Sequence, residues 1–229
     1  MMTEAPLTTR DSATLQPKMS TQHPTSTTTA TRDDKPTVHH WTHDYDLVHL
    51  DEDAWEIIDL VAAARSASYE DGRTTDVLLG EGETEAKHVT GVAGEVAASI
   101  ALGFRPMEAV DLSATADGDD GRDIIVRDGP GEHSIDAKAH WSMPVDSPSQ
   151  LVVQKSKVAE EQANVYVMSQ VWGAEWAVVH GWTWRRRLIE EGREEGPPMW
   201  DEENYVLSAD KLWPISSLRR MADGLQWEA

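Results

Sequence analysis

The feature that most restricts the fold of this chain is a β-hairpin signal in residues 123–140. Two stretches with strand character, 123–127 and 133–140, flank the sequence Asp128-Gly129-Pro130-Gly131. Glycine and proline are the residues that turns favour, and the flanking stretches are too apolar to be loops. The fold must therefore contain this antiparallel pair of strands.

The turn also predicts which side chains of the hairpin face each other. With the turn centred between Gly129 and Pro130, Asp123 lies opposite Asp136, and opposed side chains share a face about 5 Å apart at Cβ. Lys138 follows Asp136 by two positions and points to the same face. Two carboxylates this close repel each other unless a cation lies between them, and Mg²⁺ suits oxygen ligands. A solvated acidic hairpin is the alternative, because acids are frequent throughout the chain.

Helices are predicted before the hairpin, and strands and further helices after it. A helix is predicted over 51–69, and a second over 82–102, where Gly91 and Gly94 permit close packing. The remaining predicted elements are strands at 151–154, 165–168, 176–180 and 205–207, and helices at 183–191 and 216–222. Helices followed by a run of strands and then mixed elements predict one α/β sandwich domain.

The first 37 residues differ in composition from the rest. They are rich in Thr, Ser and Pro without apolar periodicity, so 1–37 is predicted to be a disordered tail and 38–229 a single domain. No stretch approaches about 20 consecutive apolar residues, no secretory signal is recognisable, and there is no cysteine. We therefore expect a cytoplasmic protein that does not contact a membrane.

The charge balance is strongly acidic. Forty-one Asp and Glu against twenty Lys and Arg give a net charge of −21, spread along the chain. This composition resembles proteins of salt-accumulating archaea and their viruses, and an ordinary acidic protein is the alternative. In molar salt the Debye length falls to about 3 Å, so local contacts decide and net charge does not exclude a nucleic-acid partner.

Together, Asp123, the triplet Asp136-Ala137-Lys138 and the helical pair Gly94-Glu95 resemble the PD-(D/E)xK nuclease superfamily. The resemblance covers roughly residues 50–218, with Gly121-Arg122 in place of the family's proline before Asp123. It implies a restriction-endonuclease-like αβ sandwich, with a central mixed sheet flanked by helices. The implied activity is that of a metal-dependent DNA endonuclease. DNA is then the expected partner, and a homodimer is left open.

The resemblance also assigns roles to individual residues. Asp123, Asp136 and the backbone carbonyl of Ala137 would bind Mg²⁺ (or Mn²⁺), and Glu95 would hold a water on that ion or help to bind a second one. Lys138 would orient the attacking water and stabilise the transition state. A catalytically idle member that binds nucleic acid or protein is the alternative function. A third is an acidic protein with a chance hairpin.

Further candidates contact phosphate in this interpretation. Gln154 and Lys155 end a predicted strand, where the superfamily often places a phosphate contact. Arg185, Arg186 and Arg187 form the one basic run of the chain. Its alternative interpretation is a helix flank screened by Glu190 and Glu191. His88 shares a helical face with Glu95 and either borders the site or is an ordinary buried histidine.

Overall fold

The computed structural model describes residues 44–70, 81–109, 123–128, 131–141, 150–160, 163–196 and 202–223. The chain divides into two units, Met1–Pro36 and Thr37–Ala229, and every described residue belongs to the second. The tail predicted at 1–37 lies outside the described residues.

The described part of the chain contains both helices and strands. The helices are α1 (Glu52–Glu70), α2 (Glu81–Leu102), α3 (Pro106–Ala109), α4 (Lys155–Ala159), α5 (Arg185–Glu191) and α6 (Ile215–Asp223). The strands are β1 (Asp46–His49), β2 (Ile124–Asp128), β3 (Gly131–Trp141), β4 (Gln150–Gln154), β5 (Val165–Trp172), β6 (Trp176–Trp184), β7 (Arg193–Glu195) and β8 (Asn204–Ser208). None of the described helices combines the length and the apolar character needed to cross a membrane.

Five strands form a mixed sheet in the order β1-β6-β5-β3-β2. β3 and β5 run parallel, and the other neighbouring strands are antiparallel. In the β2–β3 hairpin Ile124 pairs with Ile135 and Asp128 with Gly131, which is the predicted register. The α/β class with a mixed sheet is therefore confirmed, and the hairpin lies at one edge of this sheet.

Helices cover one face of the five-stranded sheet. α1, α2 and α6 share a core with the apolar side chains of that face, among them Ile124 and Ile135. A Cβ added at Gly94 would clash with the Cβ of Ala139, so Gly94 permits the close contact between α2 and β3. The same role predicted for Gly91 is wrong, because a Cβ there meets no described atom within 4 Å.

A second sheet covers the opposite face. Its three strands lie in the order β4-β8-β7, and Leu151 of β4 and Leu207 of β8 share a core with Tyr166 and Met168 of β5. Val158 of α4 and Leu188 of α5 join the same core. The expected helical flanks therefore describe only one side of the central sheet. Short apolar runs predicted strands at 151–154 and 205–207, but such runs carry no information about which strands pair.

Two element boundaries differ from the sequence prediction. β6 continues to Trp184, which pairs with Val165 of β5, so the helix predicted at 183–191 begins only at Arg185. Pairing with β5 thus overrides the local helical pattern. β1 was not predicted, and it exists because Asp46–His49 adds to the edge of β6.

Candidate active site

Asp123 lies immediately before β2 and is bonded to β3 by its backbone and its side chain. Its backbone N–H donates to the carbonyl of Ile135 at 3.0 Å, and its Oδ2 accepts from the N–H of Ala137 at 2.6 Å. The buried carboxylate therefore contacts the peptide bond that joins Asp136 to Ala137. The paired register begins at Ile124 and Ile135, so the direct opposition of Asp123 and Asp136 stays a prediction.

Asp136 and Lys138 form an ion pair on the same face of β3. The distance from Lys138 Nζ to Asp136 Oδ1 is 2.7 Å, and the Asp136 side chain is 4% exposed against 29% for Lys138. The Lys138 side chain is thus partly exposed to solvent, whereas the carboxylate that it contacts is buried. The positive charge of Lys138 balances negative charge on the hairpin. The separation of two residues along the strand predicted that Lys138 and Asp136 share a face.

Tyr166 is the neighbour of Asp136 on the next strand and was missed by the sequence analysis. The two residues are in register between β3 and β5, and Tyr166 is 1% exposed. Burial, and then the Asp136 carboxylate, raise the pKa of Tyr166 well above its ordinary value, and the charge of Arg185 opposes this in part. Tyr166 therefore stays a neutral phenol beside Asp136.

Glu95 is held by an arginine from the neighbouring helix. Arg65 of α1 donates from Nη1 to Oε1 at 2.6 Å and from Nη2 to Oε2 at 2.9 Å, and both side chains are largely buried. Two parallel hydrogen bonds of this kind are the strong form of an arginine–carboxylate pair. Arg65 was not among the predicted site residues.

Glu95 lies on α2, which packs against one face of β3, whereas the Asp136 and Lys138 side chains project from the other face. α2 contacts β3 through Ala139, whose side chain projects from the strand face opposite to that of Asp136 and Lys138. Among the described residues, which include all four predicted catalytic positions, no three Asp, Glu or His side chains form a group that could hold a metal ion. The role predicted for Glu95 at the metal stays a prediction.

His88 lies in the cluster that surrounds Arg65. Its Nδ1 is 2.9 Å from the Oγ of Ser66, and the side chain is half-buried between α1 and α2. Burial, and then the nearby charge of Arg65, lower the pKa of His88 from its ordinary value of 6.5. This environment fits the alternative interpretation of His88 as a hydrogen-bonded, buried histidine.

The oxygen atoms around the hairpin fit a hard divalent cation. In a strand the N–H and C=O of one residue point to the same neighbour, so the carbonyl of Ala137 lies on the side where its N–H meets Asp123. Asp123, Asp136 and this carbonyl are all oxygen donors, the ligand type that Mg²⁺ prefers. Mg²⁺ also retains several waters, so three protein donors are a sufficient set.

Lys155 forms ion pairs with two glutamates, one on β7 and one immediately before β8. Its Nζ lies 3.0 Å from Glu194 Oε2 and 3.1 Å from Glu203 Oε2, and these hydrogen bonds raise the pKa of Lys155. Gln154 pairs with Asn204 at the end of β4. The structure therefore places Gln154 at the end of β4 and Lys155 at the start of α4, and their predicted phosphate contact stays a prediction.

The three arginines of the basic run have different surroundings. Arg185 Nη1 donates to the carbonyl of Val158 at 3.2 Å. Arg186 pairs with Glu190 at 2.7 Å, and Arg187 pairs with Glu191 at 2.9 Å. The two glutamates thus screen the run as its alternative interpretation required, yet the Arg186 side chain is 88% exposed.

Known proteins offer no further guide to this site. No family model matches the chain, and neither a curated protein nor a solved structure matches it.

Proposed function

We propose that this chain is a metal-dependent DNA endonuclease that hydrolyses phosphodiester bonds with Mg²⁺ (or Mn²⁺). The observation that carries the proposal is the cluster at the edge hairpin. There, Asp123 contacts the Asp136–Ala137 peptide, and Lys138 pairs with Asp136. An acid pair, a backbone carbonyl and a lysine on one hairpin are the donor set and the cation that phosphodiester hydrolysis requires. The PD-(D/E)xK resemblance, with its restriction-endonuclease-like fold, agrees with this cluster.

The residues divide the chemistry between binding and charge stabilisation. Asp123, Asp136 and the carbonyl of Ala137 would hold the ion, which supplies polarisation of the phosphate and a lower pKa for a bound water. Lys138 orients the attacking water and balances the negative charge that develops on the phosphate oxygens. Attack forms a new P–O bond, and the bond from phosphorus to the departing sugar oxygen breaks.

Two neighbours keep this arrangement in place. Asp136 fixes the position of the Lys138 ammonium through their 2.7 Å contact. Tyr166 remains protonated beside Asp136 because burial raises its pKa, so it adds no further negative charge to the site.

A catalytically idle binding module is the second candidate function. The observation that favours it is Glu95, both of whose carboxylate oxygens are engaged by Arg65. A member of this superfamily that lacks a third acid at the metal would retain the fold and its surfaces without turnover. The location in the cytoplasm and assembly with a second copy stay predictions from the sequence.

The first test is cleavage of plasmid DNA in molar KCl with Mg²⁺ or Mn²⁺, beside Lys138→Ala. We expect cleavage that needs the metal and falls by about 10²- to 10³-fold in this variant, the loss typical for one electrostatic contact in a transition state. Lys87→Ala is the matched control, because Lys87 is an exposed lysine on α2. Circular dichroism checks that each variant is folded.

Metal binding separates the two candidate functions. Calorimetric titration of the wild-type protein and of Asp123→Asn with Mn²⁺ needs no DNA. Binding that is lost in Asp123→Asn, together with plasmid cleavage, supports the nuclease. A folded protein that binds no metal and leaves DNA intact contradicts the nuclease and favours the binding module.

A further inference from the structure

A groove lies next to the proposed catalytic hairpin, at the end of the five-stranded sheet where β3 and β5 begin. Its volume is about 580 Å³, and it is lined by the three arginines of the basic run with their partners Glu190 and Glu191, by Asn164, and by Trp184 and Trp213. We call this cavity the tryptophan groove. It combines exposed indole surface with the one basic run in a chain whose net charge is −21.

Trp213 offers an aromatic surface within the groove. The residue is 37% exposed, which is unusual for so large an apolar side chain, and Trp182 packs against it with ring centroids 4.9 Å apart. The guanidinium of Arg187 lies over the Trp213 ring, 4.4 Å from its centroid. These two contacts cover part of the indole, and the rest is exposed. A partly exposed indole offers a surface on which a nucleobase stacks.

Arg186 supplies a mobile positive charge at the same groove. Its side chain is 88% exposed, and its partner Glu190 is 56% exposed. Ion pairs with this exposure contribute about 0–1 kcal/mol, so a phosphate competes with Glu190 at little cost. The groove therefore has a cation for a phosphate beside an aromatic ring for a base.

The groove and the proposed catalytic cluster are connected through two strands. Asn164, in the groove lining, accepts a hydrogen bond from the backbone N–H of Ser134 at 2.7 Å. Ser134 precedes Asp136 by two residues, a separation of about 7 Å along a strand. One bound strand of DNA is thus able to contact the groove and the hairpin together.

We propose that the tryptophan groove binds an unpaired nucleotide of DNA, with its base stacked on Trp213 and its phosphate on Arg186. This inference rests on the proposed function and specifies its substrate class as DNA with a single-stranded segment. The nucleotide must be unpaired, because a base inside a duplex is already stacked on both faces and its ring is not available to an indole.

Fluorescence anisotropy with a labelled single-stranded DNA oligomer tests the groove, in EDTA so that no hydrolysis occurs. We expect the single strand to bind more tightly than the duplex of the same sequence, and Trp213→Ala to weaken single-strand binding at least about fivefold. Arg186→Ala weakens it as well. Trp213→Phe keeps a stacking ring and retains most of the affinity, which separates stacking from a loss of folding.

Matched controls exist at both positions. Trp141 is an exposed tryptophan at the opposite end of β3, and Arg193 is an exposed arginine paired with a nearby glutamate, as Arg186 is. Trp141→Ala and Arg193→Ala leave the affinity unchanged if the groove is the binding site. The inference is overturned by equal affinity for duplex and single strand, by an unchanged Trp213→Ala, or by tighter binding of the matching RNA oligomer.

The failure of this inference is distinguishable from the failure of the nuclease proposal. Plasmid cleavage that depends on Lys138 while Trp213→Ala binds single strands normally overturns the groove alone. Single-strand binding that depends on Trp213, in a protein that never cleaves DNA with Mg²⁺ or Mn²⁺, supports the groove and overturns the nuclease.

Discussion

The ion pair between Arg65 and Glu95 is the most consequential contact made by single side chains outside the hairpin. Both groups are largely buried, so each depends on the other for charge compensation. Breaking such a pair by removing one partner costs far more than the pair itself contributes, because the remaining charge is left buried and uncompensated. Glu95 therefore has a structural role whether or not it also serves a metal ion.

Replacing Arg65 by glutamine tests this dependence. We expect Arg65→Gln to lower the free energy of unfolding by about 3–5 kcal/mol, measured by urea denaturation in molar KCl. Adding Glu95→Gln to this variant should recover part of the loss, since the uncompensated carboxylate is then gone. Arg186→Ala is the control, and its exposed pair with Glu190 should cost at most about 1 kcal/mol. Equal losses in Arg65→Gln and Arg186→Ala would contradict the structural role.

Residues of the hairpin were predictable from the sequence, and their partners on other elements were not. Asp123, Asp136 and Lys138 belong to one hairpin, and its turn fixes the register of β2 and β3. Arg65 and Glu95 are 30 residues apart, and Tyr166 reaches Asp136 only because β3 pairs with β5. Such contacts depend on how helices and strands pack, which periodicity along a single segment does not specify.

At the scale of elements, the packing of α2 against β3 decides where Glu95 is held. Small side chains in the middle of α2 let the helix approach the sheet, and Gly94 does so most closely, against Ala139. From the two helical glycines, the sequence predicted that this helix lies close to the hairpin. Only one of the two glycines has that role, since the space beside Gly91 is open within 4 Å.

The two glycines of α2 therefore respond to alanine in opposite directions. Gly94→Ala introduces a clash with Ala139, and overpacking of this kind destabilises by about 1–3 kcal/mol. Gly91→Ala meets no described atom and improves helix propensity, so it stabilises by up to about 1 kcal/mol. Thermal or urea unfolding of both variants measures the difference. A Gly94→Ala protein as stable as Gly91→Ala would contradict the packing of α2 on β3.

At the scale of the whole molecule, the net charge of −21 makes the stability of the fold depend on salt concentration. Self-repulsion among carboxylates destabilises the folded state at low ionic strength, and salt screens it. In salt, the repulsion between charges decays over about 10 Å at 0.1 M and over about 3 Å at 1 M. Above about 1 M salt little repulsion remains, so an ordinary acidic protein gains no further stability from screening.

A protein adapted to molar salt behaves differently from an ordinary acidic protein above this limit. We expect Tm to rise with KCl up to about 0.1 M and to keep rising beyond about 1 M, where screening is already nearly complete. Sucrose, which stabilises folded proteins by exclusion from their surface, is the control at matched osmolality and should give a smaller increase. A Tm that stops rising above about 1 M KCl would identify an ordinary acidic protein. In that case the repulsion between this chain and DNA would be strong at low salt, and the single-strand affinity assigned to the tryptophan groove would have to overcome it.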